Sequence, residues 1–166
     1  MKAKLVVEGH EFDIEILDHK LQELIAPPKK TGYERVNMGE TFYSVRADGT
    51  VFEPIENHGP THELYYGIAN YYSSAEVAED NARADELMRQ LRRFAAEHRV
   101  DNLNWENNTQ AKWTIARFED GLGCIESGNL QSYGTIYFDR ITDVDAAIET
   151  FRDELIWYFT EYKDSL

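Results

Sequence analysis

A long amphipathic stretch that begins at Ser73 limits the possible folds of this 166-residue chain more than any other segment. Its first residues, Ser73-Ser74-Ala75-Glu76, match a capping box, in which the Ser73 hydroxyl and the Glu76 carboxylate satisfy free backbone N–H groups at a helix start. Apolar residues then recur at helical spacing to about residue 98, in a stripe of Val77, Ala84, Met88, Leu91 and Ala95. The sequence therefore predicts one long helix with an apolar face.

Short segments of alternating or aromatic-rich residues predict β-strands. Residues 5–8 and 12–17 flank Gly9-His10, and residues 41–46 and 50–55 flank Asp48-Gly49, a dipeptide that tolerates the positive φ of a tight turn. Further strands are predicted over residues 64–72, 113–118, 123–126 and 133–138. The polar residues 57–63 predict a loop between two of these segments.

The order of the predicted elements indicates an α+β fold with a possible ββ(β)α repeat. Thr142-Asp143-Val144-Asp145 is typical of the start of a second long helix. Hairpin strands, an aromatic strand and a capped helix thus follow one another twice along the chain. We expect antiparallel sheet hairpins with two long amphipathic helices packed on them.

Pro27-Pro28 marks a candidate domain boundary. It ends a predicted short helix that carries Leu21, Leu24 and Ile25, because a proline disfavours the helical conformation of the residue before it. We therefore expect an N-terminal hairpin plus short helix over residues 1–26 and an α+β main domain over residues 33–166. The alternative is a single domain throughout.

The charge of the chain excludes several classes of partner. Acidic residues outnumber basic residues by 31 to 17, which gives a formal net charge of −14. A nucleic-acid-binding surface needs a basic face, and so does docking on anionic membranes, so neither direct partner is expected. No segment approaches the roughly 20 apolar residues of a membrane-spanning helix. No signal-peptide core follows the first residues, so we expect a cytoplasmic protein.

The patterns typical of catalytic sites are weak. His58 and His62 have a spacing that can bind zinc if both imidazoles converge, but Gly59 and Pro60 oppose a helix there and no third ligand is evident. Incidental histidines in a polar loop are the favoured interpretation, and a metal-dependent enzyme is an alternative. The single cysteine, Cys124, excludes an intramolecular disulfide and has no histidine placed beside it as a base. We expect no catalytic residues, cofactor or metal.

The last predicted helix carries the first candidate partner-binding surface. Asp145, Glu149 and Asp153 stand at i, i+4 and i+8, so like charges stack along one side. By contrast, Glu79 and Arg83 in the first long helix form a favourable i,i+4 pair of opposite charges, with the acid on the N-terminal side. Trp157 is surrounded by acids, which is typical of an interface anchor. It falls nearly opposite the apolar stripe of this helix, which consists of Val144, Ile148, Phe151, Leu155, Tyr158, Phe159 and Tyr162. Alternatively, Trp157 packs under a loop or against a second copy.

A second acidic row lies in the first hairpin. Glu11, Asp13 and Glu15 alternate with apolar residues and share one face of the strand, at a spacing of roughly 6.8 Å. That spacing is about twice the ~3.4 Å axial charge spacing of one DNA strand. The row can therefore act as a nucleic-acid mimic, although an ordinary solvated strand face has the same pattern.

Five segments carry a family resemblance: the opening hairpin at residues 4–16, the Tyr43-Ser-Val-Arg-Ala-Asp-Gly-Thr-Val-Phe-Glu hairpin, the aromatic segment leading into Ser-Ser-Ala-Glu-Val-Ala-Glu, the Asn104–Trp113 stretch, and the closing aromatic segment and acidic helix. They resemble segments of small acidic accessory proteins encoded by phages and prophages of Firmicutes. Some phage proteins of this general kind inhibit CRISPR nucleases. The resemblance implies an accessory protein that acts by binding.

We therefore expect a non-enzymatic phage or prophage protein that inhibits a basic host-defence protein, above all an anti-CRISPR inhibitor of a Cas nuclease or its ribonucleoprotein. An acidic surface would speed the encounter and complement a nucleic-acid channel. The expected contact residues are Glu11, Asp13, Glu15, Asp145, Glu149, Asp153 and Trp157. The alternative is a structural or scaffold accessory protein that self-associates through its aromatic surface, with acidity serving solubility.

Overall fold

The computed structural model describes residues 2–15 and 30–162, and in these residues it contains three two-stranded antiparallel sheets and four α-helices. The strand pairs are β1 (Lys2–Val7) with β2 (His10–Glu15), β3 (Ser44–Val45) with β4 (Val51–Phe52), and β5 (Trp113–Phe118) with β6 (Gly121–Glu126). The helices are α1 (Pro60–Gly67), α2 (Ala75–His98), α3 (Ile141–Thr150) and α4 (Arg152–Trp157), and a π-helical turn, Tyr158–Tyr162, follows. The α+β class is confirmed. None of the helices in the described ranges is long and apolar enough to cross a membrane.

The Asp48-Gly49 turn forms where it is predicted, whereas the turn of the first hairpin lies at Glu8-Gly9, one residue before the predicted Gly9-His10. Gly49 has a φ of +87°, and its N–H donates to the Arg46 carbonyl at 2.9 Å, while the Arg46 N–H donates to the Thr50 carbonyl at 2.8 Å. Glu8 and Gly9 also have positive φ values at the turn between β1 and β2. The predicted short helix before Pro27-Pro28 lies outside the described residues, as does most of the predicted linker at residues 26–32.

The long helix α2 forms as predicted but begins one residue later than the capping box placed it. Ser74 is the N-cap, and its hydroxyl accepts a hydrogen bond from the Val77 N–H at 3.4 Å. The Ser73 hydroxyl instead donates to the Glu34 carboxylate at 2.9 Å. The buried core of the C-terminal half then joins α2 to the last helices through Leu87, Leu91, Ala95, Phe138, Val144, Ala147, Ile148 and Leu155.

Residues 60–67 form a helix, so the predictions of a polar loop through residue 63 and a strand from residue 64 are wrong. Pro60 is compatible with this helix because it stands in the first turn, where its fixed φ suits a helix and its missing N–H is not needed. Gly59 is the N-cap, and its carbonyl accepts hydrogen bonds from the His62 and Glu63 N–H groups. The aromatic composition of this segment reflects packing rather than strand pairing.

The predicted third strand of each repeat unit is reduced to one bridging residue. Tyr72 pairs with Tyr43, and Phe138 pairs with Trp113, each through two backbone hydrogen bonds of 2.8 and 2.9 Å. In both units a helix follows the bridge directly, α2 in the first and α3 in the second. The order of hairpin, bridge and helix therefore occurs twice, without the full strands predicted at residues 64–72 and 133–138.

The last predicted helix is interrupted. Phe151, with φ −113° and ψ 22°, separates α3 from α4. The predicted cap at Thr142-Asp143 is also wrong, since α3 begins at Ile141 without a side-chain cap. The Asp143 carboxylate instead accepts hydrogen bonds from the Arg140 guanidinium at 2.8 and 2.9 Å. This ion pair fixes the start of α3 against the end of the preceding segment.

Candidate functional site

The C-terminal acidic surface consists of Asp145 and Glu149 on α3 and Asp153 on α4, and all three side chains are exposed. Glu149 accepts a hydrogen bond from the Arg152 guanidinium at 2.8 Å. Within the described part of the chain, Asp145 and Asp153 form no salt bridge. Because Phe151 interrupts the helix between Glu149 and Asp153, these residues do not form one continuous helical row.

Trp157 belongs to the protein interior, so its prediction as an exposed interface anchor is wrong. Its side chain is only 6 % exposed. The Arg83 guanidinium of α2 lies over the indole, 3.9 Å from the ring centroid, and Tyr162 packs beside it at 5.5 Å. The indole is buried because Arg83 and Tyr162 cover the side of the helix that the sequence pattern assigns to solvent. Because Trp157 is buried within the chain, it is not available as a contact for the alternative in which the protein self-associates through its aromatic surface.

Arg83 links α2 to α4 rather than forming the predicted pair with Glu79. Its guanidinium donates to the two carboxylate oxygens of Glu154 at 2.7 and 3.1 Å, a bidentate geometry. The Glu154 hydrogen bond raises the pKa of the Arg83 guanidinium. The first part of α2 is therefore tied to the C-terminal helices by a cation that also covers Trp157.

The acidic row of the first hairpin shares its face with lysines. Glu11 is exposed and forms an ion pair with Lys4 at 2.7 Å. The strand register places Lys4 opposite Asp13 and Lys2 opposite Glu15. The side chains of Asp13 and Glu15 lie outside the described residues. Because Lys4 pairs with Glu11 and the register sets a lysine opposite each of the other two acids, the C-terminal acidic surface is the stronger candidate for binding a cation-rich partner.

A buried carboxylate that the sequence did not single out organises the region around α1. The Glu56 cluster consists of Glu56, Arg35, His58, His62 and Tyr71. The Glu56 side chain accepts hydrogen bonds from the Tyr71 hydroxyl at 2.7 Å and from the His58 backbone N–H at 2.6 Å. Nδ1 of His62 lies 3.0 Å from the same carboxylate, and Nε of Arg35 lies at 3.5 Å.

Hydrogen bonding decides the ionisation state of Glu56. Burial on its own raises the pKa of this carboxyl, but the hydrogen bonds from Tyr71, His58 and His62 outweigh burial and lower the pKa to about 2. The ionised carboxylate can only accept, so it is hydrogen-bonded to His62 in the tautomer that carries the proton on Nδ1. In the other tautomer Nδ1 accepts from the Asn57 backbone N–H, which lies 3.3 Å away. Burial and the Glu56 hydrogen bond raise the pKa of Tyr71 to about 12.

The two histidines predicted as incidental loop residues both face Glu56. Nδ1 of His58 lies 3.8 Å from the carboxylate, and His62 packs edge-on against Phe42 at 4.8 Å. In the described ranges, no group of three or more His, Cys, Asp or Glu side chains is arranged to hold a metal ion. Neither the composition nor a motif around Glu56 indicated the cluster, because its members come together only through the fold of α1 and the second hairpin.

Comparisons with known proteins found no matching family, no matching curated protein and no matching solved structure.

Proposed function

We propose that this protein binds a basic, nucleic-acid-binding host protein through its C-terminal acidic surface and inhibits it, without catalysing a reaction itself. Two exposed carboxylates, Asp145 and Asp153, have no salt-bridge partner in the described part of the chain, and this observation carries the proposal. An unpaired surface carboxylate is free to meet a lysine or arginine of a partner. Complementary charge would speed the encounter and select basic partners.

The packing of α3 supports a rigid acidic surface. Val144, Ala147 and Ile148 of α3 are buried in the core, which leaves Asp145 and Glu149 on the solvent side. Residues four apart on a helix are spaced about 6 Å along its axis. This is close to twice the ~3.4 Å axial spacing of charges along one DNA strand. Carboxylates at this spacing can occupy the positions at which a nucleic-acid-binding channel holds phosphates.

The proposed target is a CRISPR effector nuclease in its guide-loaded form, as the resemblance to phage accessory proteins implies. Such a nuclease holds its heteroduplex in a positively charged channel. Occupation of that channel would block DNA binding or cleavage. The host cytoplasm is the proposed site of action, because the target is an intracellular protein.

A DNA-cleavage assay with a purified, guide-loaded Cas nuclease tests this function. The wild type should inhibit cleavage, and the triple variant Asp145→Lys, Glu149→Lys and Asp153→Lys should not. A matched control carries Glu76→Lys, Glu79→Lys and Asp85→Lys, three exposed positions of α2. Each triple variant changes the formal net charge from −14 to −8, since three reversals add +6.

The control separates a located surface from bulk charge. If the α2 variant still inhibits and the α3–α4 variant does not, the C-terminal acidic surface is the binding surface. Equal loss in both variants would contradict a located surface, and absence of inhibition by the wild type would contradict the proposed target. Light scattering of the wild type tests the scaffold alternative, which requires a stable homo-oligomer.

A further inference from the structure

A cleft with positive charge lies at the end of α2, distinct from the acidic surface. Its volume is about 680 Å³, and it lies between the end of α2, the loop after it and residues 131–137. Clefts that bind small organic molecules usually measure about 300–1,000 Å³. Arg92 and Arg99 line it from the α2 side, Trp105 lines it from the loop, and no carboxylate is among its described lining residues.

The two arginines are exposed and lack acidic partners. Neither Arg92 nor Arg99 forms a salt bridge with any described residue, whereas Arg35, Arg83 and Arg140 each do. Acids outnumber bases by 31 to 17 in this chain, so two unneutralised guanidinium groups at one cleft run against the overall charge. The local charge therefore favours an anionic ligand.

A third cation, Lys112, does not line the cleft but lies next to Trp105, which does. The Lys112 side chain is fully buried, at 0 % exposure, although a lysine is almost never buried without a charged partner. Its ammonium donates to the backbone carbonyls of Asn107 and Gln110 at 3.0 and 2.9 Å and lies 5.4 Å from the Trp105 ring centroid. No carboxylate of the described residues forms an ion pair with it. Its charge adds to the positive potential at Trp105.

The loop that forms this wall is ordered by its own hydrogen bonds. The Asp139 carboxylate accepts from the Val100 and Asp101 N–H groups at 2.9 and 2.8 Å. The Gln110 side chain accepts from the Asn104 N–H at 2.6 Å, and Tyr137 packs edge-on against Trp105 at 4.8 Å. A wall already held in place lowers the ordering cost of binding.

We propose that this cleft binds a nucleoside phosphate. A guanidinium group recognises phosphate oxygens through paired hydrogen bonds, and the terminal phosphate of a nucleoside diphosphate carries roughly two negative charges at neutral pH. Arg92 lies near the end of α2 and Arg99 is the residue directly after it, and because both line the cleft, a diphosphate bound there can contact both. The indole of Trp105 supplies a flat apolar surface for the base. The proposal does not depend on the proposed function, because no residue of the C-terminal acidic surface lines the cleft.

Calorimetric titration with ADP and GDP tests the site. Adenosine, guanosine and pyrophosphate serve as probes that lack one half of the ligand. At about 0.15 M salt the Debye length is about 8 Å, so the distant negative charge of the chain is largely screened. At least one nucleoside diphosphate should bind, and its nucleoside and pyrophosphate should each bind at least tenfold more weakly.

Substitutions locate the binding to the cleft. Arg92→Gln and Arg99→Gln should each weaken diphosphate binding by about tenfold or more, the expected loss of a charge-assisted hydrogen bond. Arg89→Gln is the matched control, since Arg89 is exposed on the same helix but does not line this cleft. Trp105→Leu should weaken binding of the diphosphate and leave pyrophosphate binding unchanged.

Several outcomes would overturn the site. One is the absence of binding heat with both diphosphates at millimolar concentration. Another is an equal loss with Arg89→Gln and Arg92→Gln, which would indicate general surface charge. Pyrophosphate binding as tight as that of the diphosphates would overturn the contact with the base. Because Arg92 and Arg99 are exposed, their variants should keep the wild-type melting temperature.

Discussion

Replacing Glu56 by glutamine tests whether one buried carboxylate holds the region around α1 together. The side chain is 1 % exposed and accepts hydrogen bonds from Tyr71, from the His58 backbone and from His62, with Arg35 beside it. Glutamine keeps the shape but replaces one acceptor oxygen by an NH₂ donor. At least one donor of the cluster then faces another donor and loses its partner.

The pKa of Glu56 gives the size of the effect. It is about 2 in the folded chain against a usual value of 4.5. Each pKa unit corresponds to about 1.4 kcal/mol, so the ionised carboxylate contributes about 3 kcal/mol to the free energy of unfolding at neutral pH. Removing one partner of a buried charged pair costs a comparable ~3–5 kcal/mol. We therefore expect Glu56→Gln to lower the free energy of unfolding by about 3 kcal/mol at pH 7.

Urea denaturation at several pH values checks both the size and its origin. Because the folded pKa lies below the unfolded one, the contribution is complete above about pH 4.5 and is lost as the pH falls toward 2. The gap between wild type and Glu56→Gln should therefore narrow below pH 4.5. Tyr71→Phe removes two hydrogen bonds, the one donated to Glu56 and the one accepted from the Val36 N–H, but leaves the carboxylate in place, so it should cost about 1–2 kcal/mol. The reasoning would be refuted if wild type and Glu56→Gln differed by less than 1 kcal/mol in free energy of unfolding at pH 7. It would also be refuted if the difference at pH 3 were as large as the difference at pH 7.

Three further changes test local features of the fold. Gly49→Ala should lower the free energy of unfolding by about 1 kcal/mol, because φ is +87° at this position. Gly67→Ala is the control, since Gly67 has an ordinary φ and open space around it, and should not destabilise the chain. Equal melting temperatures of the two variants would contradict the turn assignment. Trp157→Ala should lower the free energy of unfolding in urea by about 3–5 kcal/mol, because the indole is buried. A loss under about 0.5 kcal/mol, as for a surface substitution, would contradict the burial of Trp157. Ser74→Ala should cost about 1 kcal/mol as a lost N-cap, and an unchanged thermal transition would contradict that role.

Features governed by neighbouring residues could be predicted from the sequence. The Asp48-Gly49 turn needs a positive φ that glycine supplies, and the end of α2 at His98 follows the end of its apolar periodicity. The bounds of β5, Trp113–Phe118, also agree with the prediction. In each case the deciding interaction lies within a few residues along the chain.

Features governed by distant contacts could not be predicted. Trp157 has a polar, solvent-side pattern in the sequence, and nothing local indicates the interruption at Phe151 or the position of Arg83 above the indole. Tertiary packing overrides the local pattern there. Pro60 differs, because proline in the first turn of a helix is a local rule that the sequence already allows.

The candidate sites divide in the same way. The exposure of Asp145, Glu149 and Asp153 agrees with their polar positions in the sequence, while Glu56 gave no local signal. Arg92 and Arg99 gave no local signal either, because Arg99 follows the last residue of α2 in an extended conformation and does not share a helix face with Arg92. Recognising a cleft there required the placement of Trp105 and residues 131–137, which only the fold supplies.

The most direct test of binding through the C-terminal acidic surface is the dissociation constant for a guide-loaded Cas nuclease. It is measured for the wild type and for the α3–α4 triple lysine variant, both at about 0.15 M salt. Like-charge contacts cost several kcal/mol, so the proposed surface requires affinity to fall by about 100-fold or more in that variant. The α2 triple lysine variant, with the same net charge, should bind within a few fold of the wild type. Equal affinity of the wild type and the α3–α4 variant would contradict binding through Asp145, Glu149 and Asp153.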